Sequence, residues 1–226
     1  MEAARGSTAG PRPGASACGH HGCLVADREP LRTPANLVTA VRTLAALVLA
    51  VLALRAQSEP LLLASLAVYW VGDVLDGAVA RWTDTETRAG AHIDLLCDRL
   101  NSTVFYVGWA VLHPGDALPI AVFLTQFVVV DAYLSTAFLH WPLRSPNYFD
   151  LVEPRVFALN WSKPGKAVNS GALALLLILT DSFWVPMLLV VAVLAVKCWS
   201  VLLVSRLDPP SRAGCAAQAA RAVAVP

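Results

Sequence analysis

Apolar positions run along this chain in six long blocks separated by short polar breaks, at approximately residues 36–54, 60–81, 91–112, 118–140, 166–180 and 183–205. Most of these are close to the roughly 17 to 25 residues a helix needs to cross a hydrocarbon core about 30 Å thick. Pro60, the "HPGD" of 113–116 and the "TDSFWVP" of 180–186 supply the turn residues between neighbours. The fifth block is short and includes the polar Asn169 and Ser170. The pattern predicts an all-α, polytopic membrane protein with six transmembrane helices in a bundle; five spans with a re-entrant fifth block is the alternative.

Composition agrees, since 57% of the 226 residues are hydrophobic, only 15% are charged and the mean hydropathy is +0.59. Positive charge orients the bundle, because short Lys- and Arg-rich loops stay cytoplasmic. Arg5, Arg12, Arg28 and Arg32 precede the first helix, Arg81 and Arg88 flank the loop between the second and third, and Arg144, Arg155, Lys163 and Lys166 lie between the fourth and fifth. Arg206, Arg212 and Arg221 close the chain, whereas the opposite loops offer only Arg55. Both termini are therefore expected in the cytoplasm, in a protein of the cytoplasmic membrane.

The blocks leave a tail at 1–31, rich in Ala, Gly, Pro and Ser and read as disordered, a core at 32–207 and a C-terminal tail at 208–226. The first tail has no apolar stretch of signal-peptide length. Its "CGHHGC" (18–23) places Cys18, His20, His21 and Cys23 too tightly for a standard zinc site. Scattered cysteines in a reducing setting predict no disulfide, and a net charge of +1 gives no reason to expect nucleic acid as a partner.

The chemistry concentrates where the second block meets the third. Asp73, Asp76, Asp94 and Asp98 recur at spacings of three and four, which keep each pair on one helix face. The polar loop from Trp82 to Ala89 makes the two helices antiparallel neighbours, and about 12 Å of helix separates Asp73 from Arg81 and Gly90 from Asp98. All four carboxylates should then sit at one depth. Isolated in a helix centre each would cost roughly 2.5 to 3.5 kcal/mol, and like charges at one level repel, so compensating positive charge is required. Arg81 and Arg99 are one source, in a cluster that merely locks helices, although Arg99 points about 100° away from Asp98. Divalent cations are better suited: carboxylates without His or Cys make an all-oxygen site for Mg²⁺ or Mn²⁺, and four of them can hold two ions. Gly77, Ala80 and Gly90 leave room beside it, or serve close helix packing.

Together, Asp73-x2-Asp76-Gly77-x2-Ala80-Arg81-x8-Gly90-x3-Asp94-x3-Asp98 resembles the full signature of the CDP-alcohol phosphotransferase superfamily. The resemblance implies transfer of a substituted phosphate from a CDP-alcohol, commonly CDP-diacylglycerol, to a second alcohol with release of CMP, in a homodimer within the bilayer. It implies Asp73, Asp76 and Asp94 as metal ligands, Asp98 as general base and partial ligand, and Gly77, Ala80, Arg81 and Gly90 along the CDP site. "TPANLVTAVR" is similar to the segment that family places beside the nucleotide, which adds Asn36, Thr39 and Arg42.

For the acceptor, Lys163 and Lys166 at the entrance of the fifth block suit a phosphorylated alcohol, or are ordinary flanking charges. "IDLLCDRLNS" (93–102), Asp131 and Lys197 look similar instead to eukaryotic-type phosphatidylinositol synthases, which use free inositol. Asp131 and Lys197 are ionisable groups within apolar runs, hence functional residues or an ion pair. The chain departs from that group in "AYLST" after Asp131 and in Phe157. Inositol is the leading acceptor and a phosphorylated polyol the second. A cation transporter is the rival class, since intramembrane carboxylates also mark ion paths, but a conduction path needs no arginine and small-residue bay beside them.

Overall fold

The computed structural model describes residues 30–141 and 143–208, all of whose regular elements are helical. The N-terminal tail with its "CGHHGC" segment, and the C-terminal tail from 209 on, lie outside the described residues. In order come α1 (Pro34–Ala56), α2 (Glu59–Trp82), α3 (Arg88–Leu112), α4 (Pro114–His140), a 3-10 turn (Pro146–Leu151), α5 (Pro154–Asn160), α6 (163–179) and α7 (Trp184–Val204). Four of these, α1, α2, α4 and α7, are long and apolar enough to cross a membrane. The third helix has the length, at 25 residues, but holds Arg88, Asp94, Asp98 and Arg99. α6 is interrupted by a π turn at Ala167–Gly171.

Two elements have no counterpart among the six apolar blocks: the 3-10 turn and α5, which is too short to show a periodicity. Pro154 at its first turn and the Glu153 carboxylate accepting from the Arg155 amide start it. Its far end abuts Gly165, where a Cβ would lie 2.9 Å from the Leu159 carbonyl oxygen. Only glycine lets α6 begin so close to α5.

A stripe of small residues governs how α1 packs. Ala35, Thr39, Thr43, Ala46, Ala50 and Ala53 are buried at helical spacing, so α2 and α3 approach its backbone closely; the Ser65 hydroxyl of α2 donates to the Ala46 carbonyl at 2.9 Å. One apolar core joins Ala50, Leu62, Tyr106, Phe123, Leu173 and Val190 across α1, α2, α3, α4, α6 and α7. A second, around Phe138, Trp141, Phe149, Val156 and Trp161, fastens the 3-10 turn and α5 to the ends of α4 and α7.

Contacts between loops show how the helices run. Ser145 and Tyr148 both donate to the Glu86 carboxylate, at 3.3 and 2.8 Å, which brings the α2–α3 loop beside the α4–α5 segment. Partial burial and its bond to Glu86 hold the Tyr148 hydroxyl above its usual pKa range. His113 meets Glu59 at 3.3 Å, so the far end of α3 lies beside the start of α2. The third helix therefore travels the length of the bundle alongside α2 despite its charges. Leu37, Val41, Leu44, Leu188, Val191 and Leu202 face outward, as lipid-facing residues do, and Trp82 and Trp184, 83% and 70% exposed, stand at helix ends where interfacial tryptophans gather. The chain is an integral membrane protein.

Candidate active site

Asp73 and Asp76 occupy the second half of α2, and Asp94 and Asp98 the first half of α3. Suitable oxygens of Asp73, Asp76 and Asp94 all lie within 4.8 Å of one another. Asp98 joins them through a group from a third helix. Arg42 of α1 sends Nε to Asp76 at 2.7 Å and Nη2 to Asp98 at 3.0 Å, also bonds Asp94, and stands 3.6 Å from Asp73. A single guanidinium thus touches all four carboxylates, and the equal depth expected from the spacing is met.

The positive charge in this cluster comes from Arg42 and not from Arg99. A guanidinium that is 4% exposed, with Nη1 unpartnered among the described residues, is tolerable only because the surrounding acids return its desolvation cost. Thr39, one turn earlier, donates to the same Asp76 oxygen at 2.8 Å. Gly72 makes the approach possible, since a Cβ there would lie 2.5 Å from the Arg42 Cβ and 2.6 Å from its Cδ. Neither role stood out in the sequence. Gly72 lies just before the first aspartate, and the i, i+3 pair Thr39 and Arg42 inside an apolar helix was the available signal.

Beside the acids lies a groove open to solvent. Asn36 and Thr39 of α1, Gly77, Ala80 and Arg81 of α2, and Gly90 of α3 line it together with Asp76 and Asp94. Every residue expected along the nucleotide site is therefore on this wall except Arg42, which stands behind it among the carboxylates. Thr85, Glu86, Thr87, Ser145 and Asn147 also line it, none of them anticipated. Local chemistry sets the rim: Thr87 caps α3 by accepting from the Gly90 amide at 3.0 Å, and a Cβ on Gly90 would meet that hydroxyl at 2.8 Å and the Asn36 amide oxygen at 2.9 Å. At Gly77 the Arg81 guanidinium is the nearest neighbour, with Nη1 at 3.2 Å from a would-be Cβ.

The remaining candidates divide. Lys166 donates to Asn147 at 2.5 Å, at the edge of the groove. Lys163 is exposed at the start of α6, whose first turn is capped by Ser162 accepting from the Gly165 amide. Asp131 and Lys197 form an ion pair at 2.5 Å, and Arg99 completes it from α3 at 2.9 Å. Both Asp131 oxygens are engaged, one by Lys197 and the other by Arg99 and Ser135. Arg99 also lies over the Phe127 ring, 5.3 Å from its centroid. Its pairing with Asp131 is why it contributes nothing to the four acids.

The donor set fits a hard divalent cation. Three carboxylates converge, all donors are oxygen, and one arginine neutralises only part of the charge. The sequence model of the family described as CDP-alcohol phosphatidyltransferase matches residues 32–199, a stretch that contains the groove, the acids and the Asp131 network. No curated protein and no solved structure gives a significant match to the chain.

Proposed function

The chain belongs to the CDP-alcohol phosphatidyltransferase family, and on that premise we propose that it transfers a phosphatidyl group from CDP-diacylglycerol to a polyol, with inositol as the leading acceptor and CMP as leaving group. The observation that carries the site is the contact of one guanidinium with four carboxylates at the end of a groove lined by six of the family-like residues.

In this reading Asp73, Asp76, Asp94 and Asp98 hold Mg²⁺ or Mn²⁺, two ions when the donor is bound. The ions, when bound, neutralise the pyrophosphate and stabilise the departing CMP. The chain's own groups do the rest. Asn36, Thr39, Gly77, Ala80, Arg81 and Gly90 seat the cytidine diphosphate, the small residues by letting it approach the helix backbones and Arg81 by its charge. Asp98 accepts the proton of the acceptor hydroxyl as that oxygen forms its bond to the lipid-bearing phosphorus and the phosphoanhydride bond to CMP breaks. Low-dielectric surroundings strengthen each of these interactions relative to water.

The inositol assignment is supported by the likeness of "IDLLCDRLNS", Asp131 and Lys197 to eukaryotic-type phosphatidylinositol synthases. Lys166 at the groove edge supports a second reading, a phosphorylated acceptor such as inositol 1-phosphate or glycerol 3-phosphate, because an exposed ammonium beside the transfer centre suits a phosphate. Six spans, both termini and the groove on the cytoplasmic side of the cell membrane, and a homodimer complete the proposal.

The deciding experiment is an acceptor panel with CDP-diacylglycerol and Mg²⁺ or Mn²⁺, in which inositol, inositol 1-phosphate, glycerol 3-phosphate and serine compete and the product is identified by mass. Phosphatidylinositol as the main product upholds the leading assignment, and a phosphorylated product establishes the second. Failure to release CMP with any acceptor removes the reading altogether and returns the carboxylates to the transporter class.

A further inference from the structure

Arg42 changes the charge count at the carboxylates in a way that bears on the order of binding. Ionised, the four acids bring four negative charges, and Arg42 sets one fixed positive charge against each of them at 3.6 Å or less. Its guanidinium stays charged at any pH a protein survives. Three negative charges remain in excess. One divalent cation leaves the cluster with a single negative charge, whereas a second would make it net positive around the buried Arg42 and Asp76, a costly state where water is scarce. The pyrophosphate of a CDP-alcohol supplies the missing negative charge, since it brings two more into the adjoining groove.

The guanidinium and the cations can also coexist. Arg42 engages Asp76 through Oδ2, Asp94 through Oδ1 and Asp98 through Oδ1, and no hydrogen bond among the described residues reaches the other oxygen of these three acids. A carboxylate with one oxygen engaged keeps lone pairs on the other. Arg42 is held in place at the same time, packed across Gly72 with no room for a Cβ between them.

We propose that Arg42 is a positioning residue that couples the second divalent cation to the donor, so that the protein alone holds one ion and the second enters with the pyrophosphate. This rests on the metal reading given under Proposed function and adds an order to it.

The test is Mn²⁺ binding to the purified full chain in detergent, read from the electron paramagnetic resonance signal of the free ion, with and without CDP and with no acceptor present. The parent protein should bind one Mn²⁺ alone and two with CDP. Arg42→Gln should bind two without CDP, with the second site at least tenfold tighter than in the parent under the same conditions, and Arg42→Lys should restore the dependence on CDP. A parent protein that takes two ions without CDP overturns the coupling even if Arg42→Gln does not fold, as does a parent that gains no second ion with CDP. An Arg42→Gln protein that keeps the parent's stoichiometry overturns it too. If the parent binds no Mn²⁺ under either condition, the metal reading itself falls and the coupling with it, an outcome distinct from one ion that never becomes two.

Discussion

Asp98 and Asp73 differ in what each touches, and their variants should differ accordingly. Asp98 lies on the Arg42 Nη2 at 3.0 Å and is the proposed base, so Asp98→Asn keeps the shape of the cluster and removes the proton acceptor. Transfer should fall about 10² to 10⁴-fold, the usual worth of a positioned general base, while CDP binding is partly retained. Near-normal turnover would take the role away from Asp98. Asp73, at 3.6 Å the acid furthest from Arg42, has the most to offer a cation. Asp73→Ala should weaken metal dependence and donor binding together, and an unchanged metal titration would misplace the site. Gly72 supplies a purely steric test. Its replacement by Ala puts a methyl 2.5 Å from the Arg42 Cβ, an atom that cannot move without the α1 backbone. A loss of about 1 to 3 kcal/mol in detergent denaturation is expected, as for other overpacked sites, whereas Gly115→Ala, with nothing within 4 Å, should leave stability unchanged.

At the scale of helices, α3, α4 and α7 are joined by Arg99, Asp131 and Lys197, a carboxylate between two cations. Asp131→Asn leaves two buried positive charges without their partner and should cost about 3 to 5 kcal/mol, the usual penalty for breaking a buried pair from one side. Adding Lys197→Met removes one of those charges and should recover part of the loss. Both Asp131 oxygens already have partners in Lys197, Arg99 and Ser135, so the helix lock accounts for the pair without an acceptor. The double variant should therefore keep the parent's KM for the acceptor; a large rise in KM would assign the pair to acceptor binding after all.

This network also marks the reach of sequence reasoning. Asp131 and Lys197 were conspicuous as charges inside apolar runs, and a mutual pair was one of two readings open for them. Arg99 could not be assigned to it, because a direction 100° from Asp98 says what a side chain leaves but not what it meets. The four acids were legible because their spacing is local to two helices joined by a short loop. Arg42 was legible only as a neighbour of the nucleotide, since its approach depends on the packing of α1 across Gly72, a contact between residues 30 positions apart.

For the whole molecule, the decisive question is whether the charged α3 and the interrupted α6 cross the membrane with the four more apolar helices. If only α1, α2, α4 and α7 crossed, α3 would stay on one side, and its two ends would lie near the same surface. The contacts oppose this: Thr87, which caps one end, adjoins Glu86, bound to Ser145 and Tyr148, and His113, which closes the other, meets Glu59. α6 likewise starts with Lys166 on Asn147 and carries Leu173, Ala174 and Leu177 into the apolar core shared with Leu62 and Phe123. The six crossings proposed for the chain would put residues 83–87 and 143–153 on one face and residues 57–58, 113–116 and 180–183 on the other. Single cysteines placed at Thr85, Asn147, Ser58 and Ser182, in a protein whose own cysteines are replaced by serine, should separate into two pairs. With an impermeant maleimide applied to intact cells, Ser58 and Ser182 are expected to label and Thr85 and Asn147 only after permeabilisation, since the arginine-rich loops stay inside. Labelling of Asn147 together with Ser58 in intact cells would mean that α3 does not cross, and would place the groove and its carboxylates at odds with a donor delivered from the cytoplasm.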